Sequence, residues 1–174
     1  MQISRVALVL LFFVFGLTSC KEDNSLNSKV DFDREAMLQN WADNILIPAY
    51  ADFQNQTLDF KQKIDSYSSS KNPNSLVEVQ QNFKELYLAF QQIKAFEVGP
   101  AEAISFRAAI NTYPTDTAKV QYNIKNDISD LSPASQLVAR GLPALDYLLF
   151  CANVDLQQAS TMQYLKLLAD DIVN

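Results

Sequence analysis

From Asp31 onward, apolar residues recur every three or four positions: Leu38, Trp41, Ile45, Ala49, Phe53, Phe60, Ile64 and Tyr67, with one gap near Thr57. This spacing puts them on one face of a long amphipathic helix. Pro48, in "ILIPAY", lies inside the pattern and brings no backbone donor, so it either kinks the helix or divides it. The apolar phase carries across the proline without a slip, which favours a kinked but continuous element. The polar stretch "SYSSSKNPNS" then ends the helix in a serine-rich Asn-Pro loop.

A second face follows at Leu76, Val79, Phe83, Leu86, Phe90 and Ile93. Ser75 is placed to cap this helix, with Glu78 three residues on to complete a capping box. Two long amphipathic helices joined by a short loop predict an antiparallel hairpin, with these aromatics in its core. Between Phe96 and Asp116 the periodicity weakens. Gly99-Pro100 forces a turn, "PAEAISFRAAI" can make a short helix with Pro100 in its first turn, and Tyr113 is held extended by Pro114. Functional residues tend to sit on such irregular, rigidly framed segments.

Helical spacing returns at Val120, Ile124, Ile128 and Leu131, stops at Ser132-Pro133, and resumes through Leu137, Val138, Leu142, Leu145, Leu148 and Leu149. Asn153 to Asp155 interrupts it before Leu156, Met162, Leu165, Leu168 and Ile172. No window alternates apolar and polar residues as a strand does. The expected fold is all-α, an antiparallel bundle of about five helices. Its last segment, "KLLADDIVN", is still helical and carries neither a glycine cap nor a basic last turn, which suggests a chain that is part of something larger.

Within this pattern "ARGLPALDYLLF", residues 139–150, is anomalous. It is apolar at helical spacing yet contains Gly141 and Pro143, which cost about 1 and about 3 kcal/mol in a helix interior relative to alanine. It is a helix start, a kink that serves packing, or the remnant of a site.

The first 20 residues have a different design. One positive charge at Arg5, an unbroken apolar run from Val6 to Phe15, and small residues before Cys20 are the layout of a secretory signal, too short to cross a membrane as a helix. Leu17-Thr18-Ser19-Cys20 resembles the bacterial lipobox, in which the cysteine becomes the lipidated first residue. Residues 1–19 thus read as a lipoprotein signal peptide, Cys20 as the lipidation site, and 20–30 as a polar tether to a domain over 31–174. Several acyl chains on one residue exceed what stable membrane attachment needs. The expected location is the bacterial cell envelope, exported and lipid-anchored, at the outer membrane, in the periplasm or on the surface.

The charge balance narrows the partners. With 14 basic and 20 acidic residues the chain is at −6, and loss of Arg5 with the leader takes it to −7, so nucleic acid is not expected to bind. Cys151 is the only cysteine besides Cys20; no intramolecular disulfide can form in the mature chain once Cys20 is lipidated, and a buried structural thiol is expected. Three glycines leave no glycine-rich phosphate loop, and the absence of histidine removes His-based triads and the HExxH zinc site.

"NWADNILIPAYADF", "FEVGPAE", "FRAAINTYPTD" and "GLPALDYLLF", in this order and at these distances, resemble the imelysin-like proteins, also grouped as peptidase M75-like. The resemblance implies a helical, exported protein. Members are longer and built from two helical halves, so this chain resembles the N-terminal part. In the family the last stretch reads Gly-x-His-x-x-Glu, whose histidine and glutamate face one side of a helix as a proposed metal site. Here Gly141 matches the glycine, Pro143 stands at the histidine position and Asp146 at the glutamate position. Proline has no donor atom. Asp146 is the one metal-ligand candidate left, for a divalent metal or iron; the alternative is a solvated residue or a helix cap near Pro143.

Gly99, Pro100 and Glu102 in the turn, and Arg107, Asn111, Tyr113 and Pro114 after it, match the family's motifs position by position. The resemblance implies that they line a cleft near the Gly-x-His-x-x-Glu element. Arg107 is expected to pair with Glu102 or Asp146 and fix the turn without doing chemistry. Three functions stay open: an envelope-anchored, non-catalytic binding protein for a small ligand or metal, related to iron-uptake components; an M75-type metallopeptidase, against which the degenerate motif counts; and a helical partner-binding protein.

Overall fold

The computed structural model describes residues 32–174, so the signal peptide, Cys20 and the tether lie outside the described residues. The chain divides into two compact units, Met1–Met37 and Leu38–Asn174. The described residues of the first, 32–37, begin helix α1 (Arg34–Trp41), where the Asp33 carboxylate accepts the Ala36 N–H at 2.9 Å. The second unit is all-α among the described residues, as the spacing predicts.

Helix α2 (Ile47–Ser70) is preceded by a π-helical turn, Ala42–Leu46, and the backbone stays helical through both junctions. Pro48 explains the turn. It cannot donate to the carbonyl four residues back and its ring crowds that group, and a wider π turn relieves the conflict without ending the helix. The element is therefore continuous across Pro48, as the unbroken apolar phase indicates.

Lys71, in left-handed conformation, closes α2 with its N–H on the Tyr67 carbonyl at 2.7 Å. Helix α3 (Pro73–Ile93) begins earlier than Ser75, and the expected Ser75/Glu78 capping box does not form. Asn72 is the cap, its side-chain oxygen accepting the Asn74 N–H at 2.9 Å, with Pro73 behind it. Asparagine caps as well as serine, and a proline at the first position is already set in helical φ, so Asn-Pro takes the start. Ser75 donates its hydroxyl to the Asn72 carbonyl and Glu78 pairs with Lys63 at 3.4 Å.

The two helices pack antiparallel. Phe53 meets Phe90 at 6.1 Å between ring centroids, Phe60 meets Phe83 at 5.9 Å, and Lys63 meets Glu78 at the far end. Phe53, Phe60, Ile64 and Tyr67 are buried against Val79, Phe83, Leu86, Phe90 and Ile93. Leu38, Trp41 and Ile45, expected on the same buried face, are exposed instead. They lie before the level of Tyr50, whose hydroxyl bonds the Phe96 carbonyl just past the end of α3, so the hairpin partner does not reach them.

After α3 the chain makes two short helices, α4 (Pro100–Ala103) and α5 (Phe106–Asn111), where one was expected; left-handed Ser105 separates them. Phe106 sets its ring edge-on to Phe53 at 5.8 Å and ties α5 to the hairpin. Helix α6 (Thr117–Lys125) is capped by Asp116, which accepts the Lys119 N–H at 2.9 Å. It stops before Ile128 and Leu131, which the spacing had placed on it. Asp127 turns left-handed and Ile128 donates back to the Asn123 carbonyl, so Leu131 enters the core from non-helical chain.

A 3-10 turn, Ala134–Ala139, leads into α7 (Gly141–Phe150), and α8 (Ala159–Val173) packs along both α2 and α7. Five of these helices, α2, α3, α6, α7 and α8, are nine residues or longer. One polar node crosses the core. The fully buried Asn123 amide donates to Gln136 Oε1 at 2.8 Å and to the Tyr164 hydroxyl at 2.9 Å, which in turn donates to the Ala139 carbonyl at 2.8 Å. Arg140 holds Asp171 through Nε and Nη2, both at 2.8 Å, joining the start of α7 to the end of α8.

Candidate functional site

Gly141 and Pro143 start α7 and do not interrupt it. Gly141 is its first residue, with φ of +71°, and Pro143 lies in the first turn, where no intrahelical N–H bond is lost. Glycine is required for a second reason: a Cβ at this position would stand 2.2 Å from the carbonyl oxygen of Ile110 in α5. The two helices meet backbone to backbone, and this contact fixes α5 and the residues after it beside the first turns of α7.

Beside this contact lies a cleft of about 840 Å³. Helix α7 contributes Leu142, Pro143, Asp146, Tyr147 and Phe150; α5 contributes its last residue, Asn111, and the segment after it Tyr113 and Thr115; α3 forms the facing wall with Phe83, Lys84, Tyr87 and Leu88. Three rings run along it: Phe83 packs against Tyr87 at 6.3 Å and against Phe150 at 5.8 Å. The Lys84 ammonium stands over the Phe150 ring, 6.0 Å from its centroid. Tyr113, 83% exposed, forms the rim. Gln121 donates its amide to the Tyr147 hydroxyl at 2.9 Å and holds that ring at the cleft's edge.

Asp146 projects from the outer side of α7, whose neighbours Leu145, Leu148 and Leu149 are buried. No hydrogen bond or ion pair reaches its carboxylate among the described residues. Partial burial in the cleft pushes its pKa up from the usual carboxylate range.

The other expected site residues divide. Asn111, Tyr113, Pro143 and Asp146 come together in the cleft, while Gly141 forms the contact beneath it. Glu102 and Arg107 line a separate shallow depression of about 470 Å³, with Asn111 bordering both. Arg107 does not pair with Glu102 or Asp146. Its guanidinium meets Glu97 at 3.3 Å, and the same carboxylate accepts the Arg107 backbone N–H at 2.9 Å. Glu97 lies just before the turn, and its carboxylate takes both the Arg107 N–H near the start of α5 and the guanidinium. Gly99, φ +59°, and Pro100 form the turn itself and are exposed.

Lys84, Tyr87, Leu88 and Phe150 were not foreseen as site residues. The signal for two of them is present in the sequence: Tyr87 and Leu88 are apolar residues outside the 76, 79, 83, 86, 90, 93 stripe of α3, and both are exposed. Cys151, expected to be buried, is half-buried at the cap of α7 and lines the cleft.

The donor set does not suit a metal ion. Pro143 offers no ligand atom, and of the lining side chains Asp146 and Cys151 alone are of the carboxylate or thiol kind. Among the described residues no three Asp, Glu, Cys or His side chains gather as ligands would. Structural and catalytic zinc sites take at least three protein ligands, and hard cations take more oxygens.

Residues 46–174 match the family model for imelysin, peptidase M75. Iron-regulated protein A of Synechococcus elongatus is 23% identical over 135 residues, which cover 78% of this chain and 36% of that protein. The crystal structure of a protein described as an iron-regulated protein A precursor, from Parabacteroides distasonis, superposes with a TM-score of 0.70 at 19% identity, over 79% of this chain and 41% of that one. The chain thus spans about two-fifths of the length of either relative.

Proposed function

The chain belongs to the imelysin family, and from that premise we propose that it is an exported, lipid-anchored, non-catalytic protein that binds a ligand in the cleft between α3 and α7. One observation carries this reading: the helix bearing the family's motif is kept in place by the Gly141–Ile110 contact, and a cleft is built on it, but the ligand pair of the motif is replaced by Pro143 and an isolated Asp146. A peptidase of this family would need a metal with ligands and an open water position. Among the described residues no such ligand set gathers.

Export rests on the sequence of residues 1–20 and agrees with the word precursor in the description of the structural relative. The names of both relatives speak of regulation by iron, and a place for this protein in iron acquisition is part of the proposal. The lipid anchor at Cys20 would hold the domain at a membrane surface, with the polar stretch 21–30 as its tether.

The test is thermal unfolding of the protein with Fe, Zn, Cu or Ca ions, beside a casein digest with and without chelator. A ligand that binds only the folded state stabilises it by roughly 2.7 kcal/mol at a hundredfold excess over its dissociation constant. The expected result is no ion-specific rise and no chelator-sensitive cleavage. A rise with one ion that Asp146→Ala abolishes, or cleavage that chelator stops, would replace this reading with a metal site.

A further inference from the structure

The cleft's chemistry points to a class of ligand. Its volume, about 840 Å³, is that of a site for a drug-sized organic molecule and far exceeds that of a bare ion. Tyr87 and Phe150 are each about two-fifths exposed and Tyr113 more so, so three aromatic faces or edges are open to an occupant.

Its two charges differ in character. Asp146 has a short side chain on a helix that buries Leu145, Leu148 and Leu149, and no partner reaches its carboxylate among the described residues. Lys84 is a long, flexible side chain on the facing wall whose ammonium already lies over the Phe150 ring. That contact shows the ring surface accepting a cation, which the negative face of an aromatic ring attracts. A short-armed, unpaired carboxylate, exposed on a cleft that is also lined by aromatic rings, selects a positive group. A flexible lysine that already has a partner does little to select a negative one.

We propose that the cleft binds an organic amine, with a flat apolar body lying against Tyr87, Tyr113 and Phe150 and an ammonium group paired with Asp146. The proposal rests on the reading of this cleft as a ligand site. A metal ion is not required, and the absence of a ligating residue at position 143 becomes intelligible: Pro143 supplies apolar floor where an organic body lies.

Three probes of matched shape test it: tryptamine, indole-3-acetate and indole, titrated calorimetrically into the protein. Tryptamine is expected to bind at least tenfold more tightly than either of the others. Asp146→Asn is expected to reduce tryptamine to the level of indole, and Lys84→Met to leave tryptamine binding intact or tighten it. Equal binding of all three probes overturns the amine while leaving the cleft as a ligand site, and preference for indole-3-acetate that Lys84→Met removes overturns it in favour of an anion. Tryptamine binding that survives Asp146→Asn removes the carboxylate from the site. Failure of every probe to bind the folded protein overturns the amine and the cleft reading together.

Discussion

Gly141 of α7 and Ile110 of α5 touch through their backbones, so closely that a side chain on the glycine would collide with the Ile110 carbonyl carbon and oxygen, at 2.7 and 2.2 Å. The glycine also has φ of +71°, which other residues rarely adopt. Gly141→Ala is therefore expected to lower stability by about 2–5 kcal/mol, from roughly 1–2 for the left-handed backbone and 1–3 for the overpacked contact. Urea denaturation followed by circular dichroism measures it. Gly99 is the internal control: its φ is also positive, but a Cβ there meets nothing within 4 Å, so Gly99→Ala should cost the backbone part alone.

The contrast between those two glycines shows how much of the molecule was readable in advance. The α2/α3 hairpin was legible because its stripe is long and regular, and Phe53, Phe60, Phe83 and Phe90 are where that stripe puts them. Periodicity gives the face of a helix but not the length of its partner, so Leu38, Trp41 and Ile45 were expected in a core that does not extend to them. Where two caps compete, as Asn72 and Ser75 do, the sequence offers both and local geometry decides. The left-handed turn at Asp127 carries no glycine to announce it, and so α6 ends before Ile128 unforeseen.

The cleft was half legible. Asn111, Tyr113, Pro143 and Asp146 were placed near one another by resemblance, and they do share it. Its facing wall comes from α3, more than fifty residues before Asp146 in the chain, and a juxtaposition at that separation leaves no trace in local spacing. The Arg107 partner was missed for a related reason: Glu102 and Asp146 were the expected partners, and the path of the turn brings Glu97 to the guanidinium instead.

Four charges join α2 to α8: Lys61 contacts Asp65 at 3.3 Å and Asp170 at 2.6 Å, and Lys166 contacts Asp65 at 3.1 Å. The hydrogen bond from Lys166, with that from Lys61 and their charges, holds the Asp65 carboxyl below its ordinary pKa. A lowered folded-state pKa contributes stability that is present above the unfolded value, about pH 4, and is lost as pH falls through the folded value. Asp65→Asn should therefore cost stability at neutral pH and converge on the wild type in acid. Lys61, Asp65 and Lys166 each keep more than a third of the side chain in solvent, so the cost should stay below about 1 kcal/mol and shrink further in salt. Chemical denaturation at pH 7 and pH 3, in low and high salt, checks each part.

Cys20 gives a prediction independent of the folded domain. If it is the lipid attachment point, the protein expressed in a bacterial host incorporates radiolabelled palmitate and sediments with membranes, while Cys20→Ala incorporates none and leaves the membrane fraction. No helix among the described residues is long and apolar enough to cross a membrane, so the acyl chains are the attachment that this prediction tests. Equal membrane association of both forms would mean that some other feature attaches the protein.

The first turn of α7 also permits the reverse experiment. Pro143 and Asp146 both line the cleft and are one turn apart on the same helix, so side chains placed there point to a common space. The paired substitution Pro143→His with Asp146→Glu rebuilds Gly-x-His-x-x-Glu on a backbone that the Gly141–Ile110 contact already holds. Replacing proline in a first turn leaves the helix hydrogen bonds unchanged, but Pro143 is buried, so the larger histidine is expected to cost some stability and the ion titrations are compared with each variant's own ion-free midpoint. Two ligands are fewer than a resident zinc site takes, so the expected outcome is a small rise in unfolding temperature, at high zinc or copper concentration alone, that the natural chain and each single variant lack. A folded double variant that ignores every ion even then would mean that side chains at positions 143 and 146 do not reach a common space.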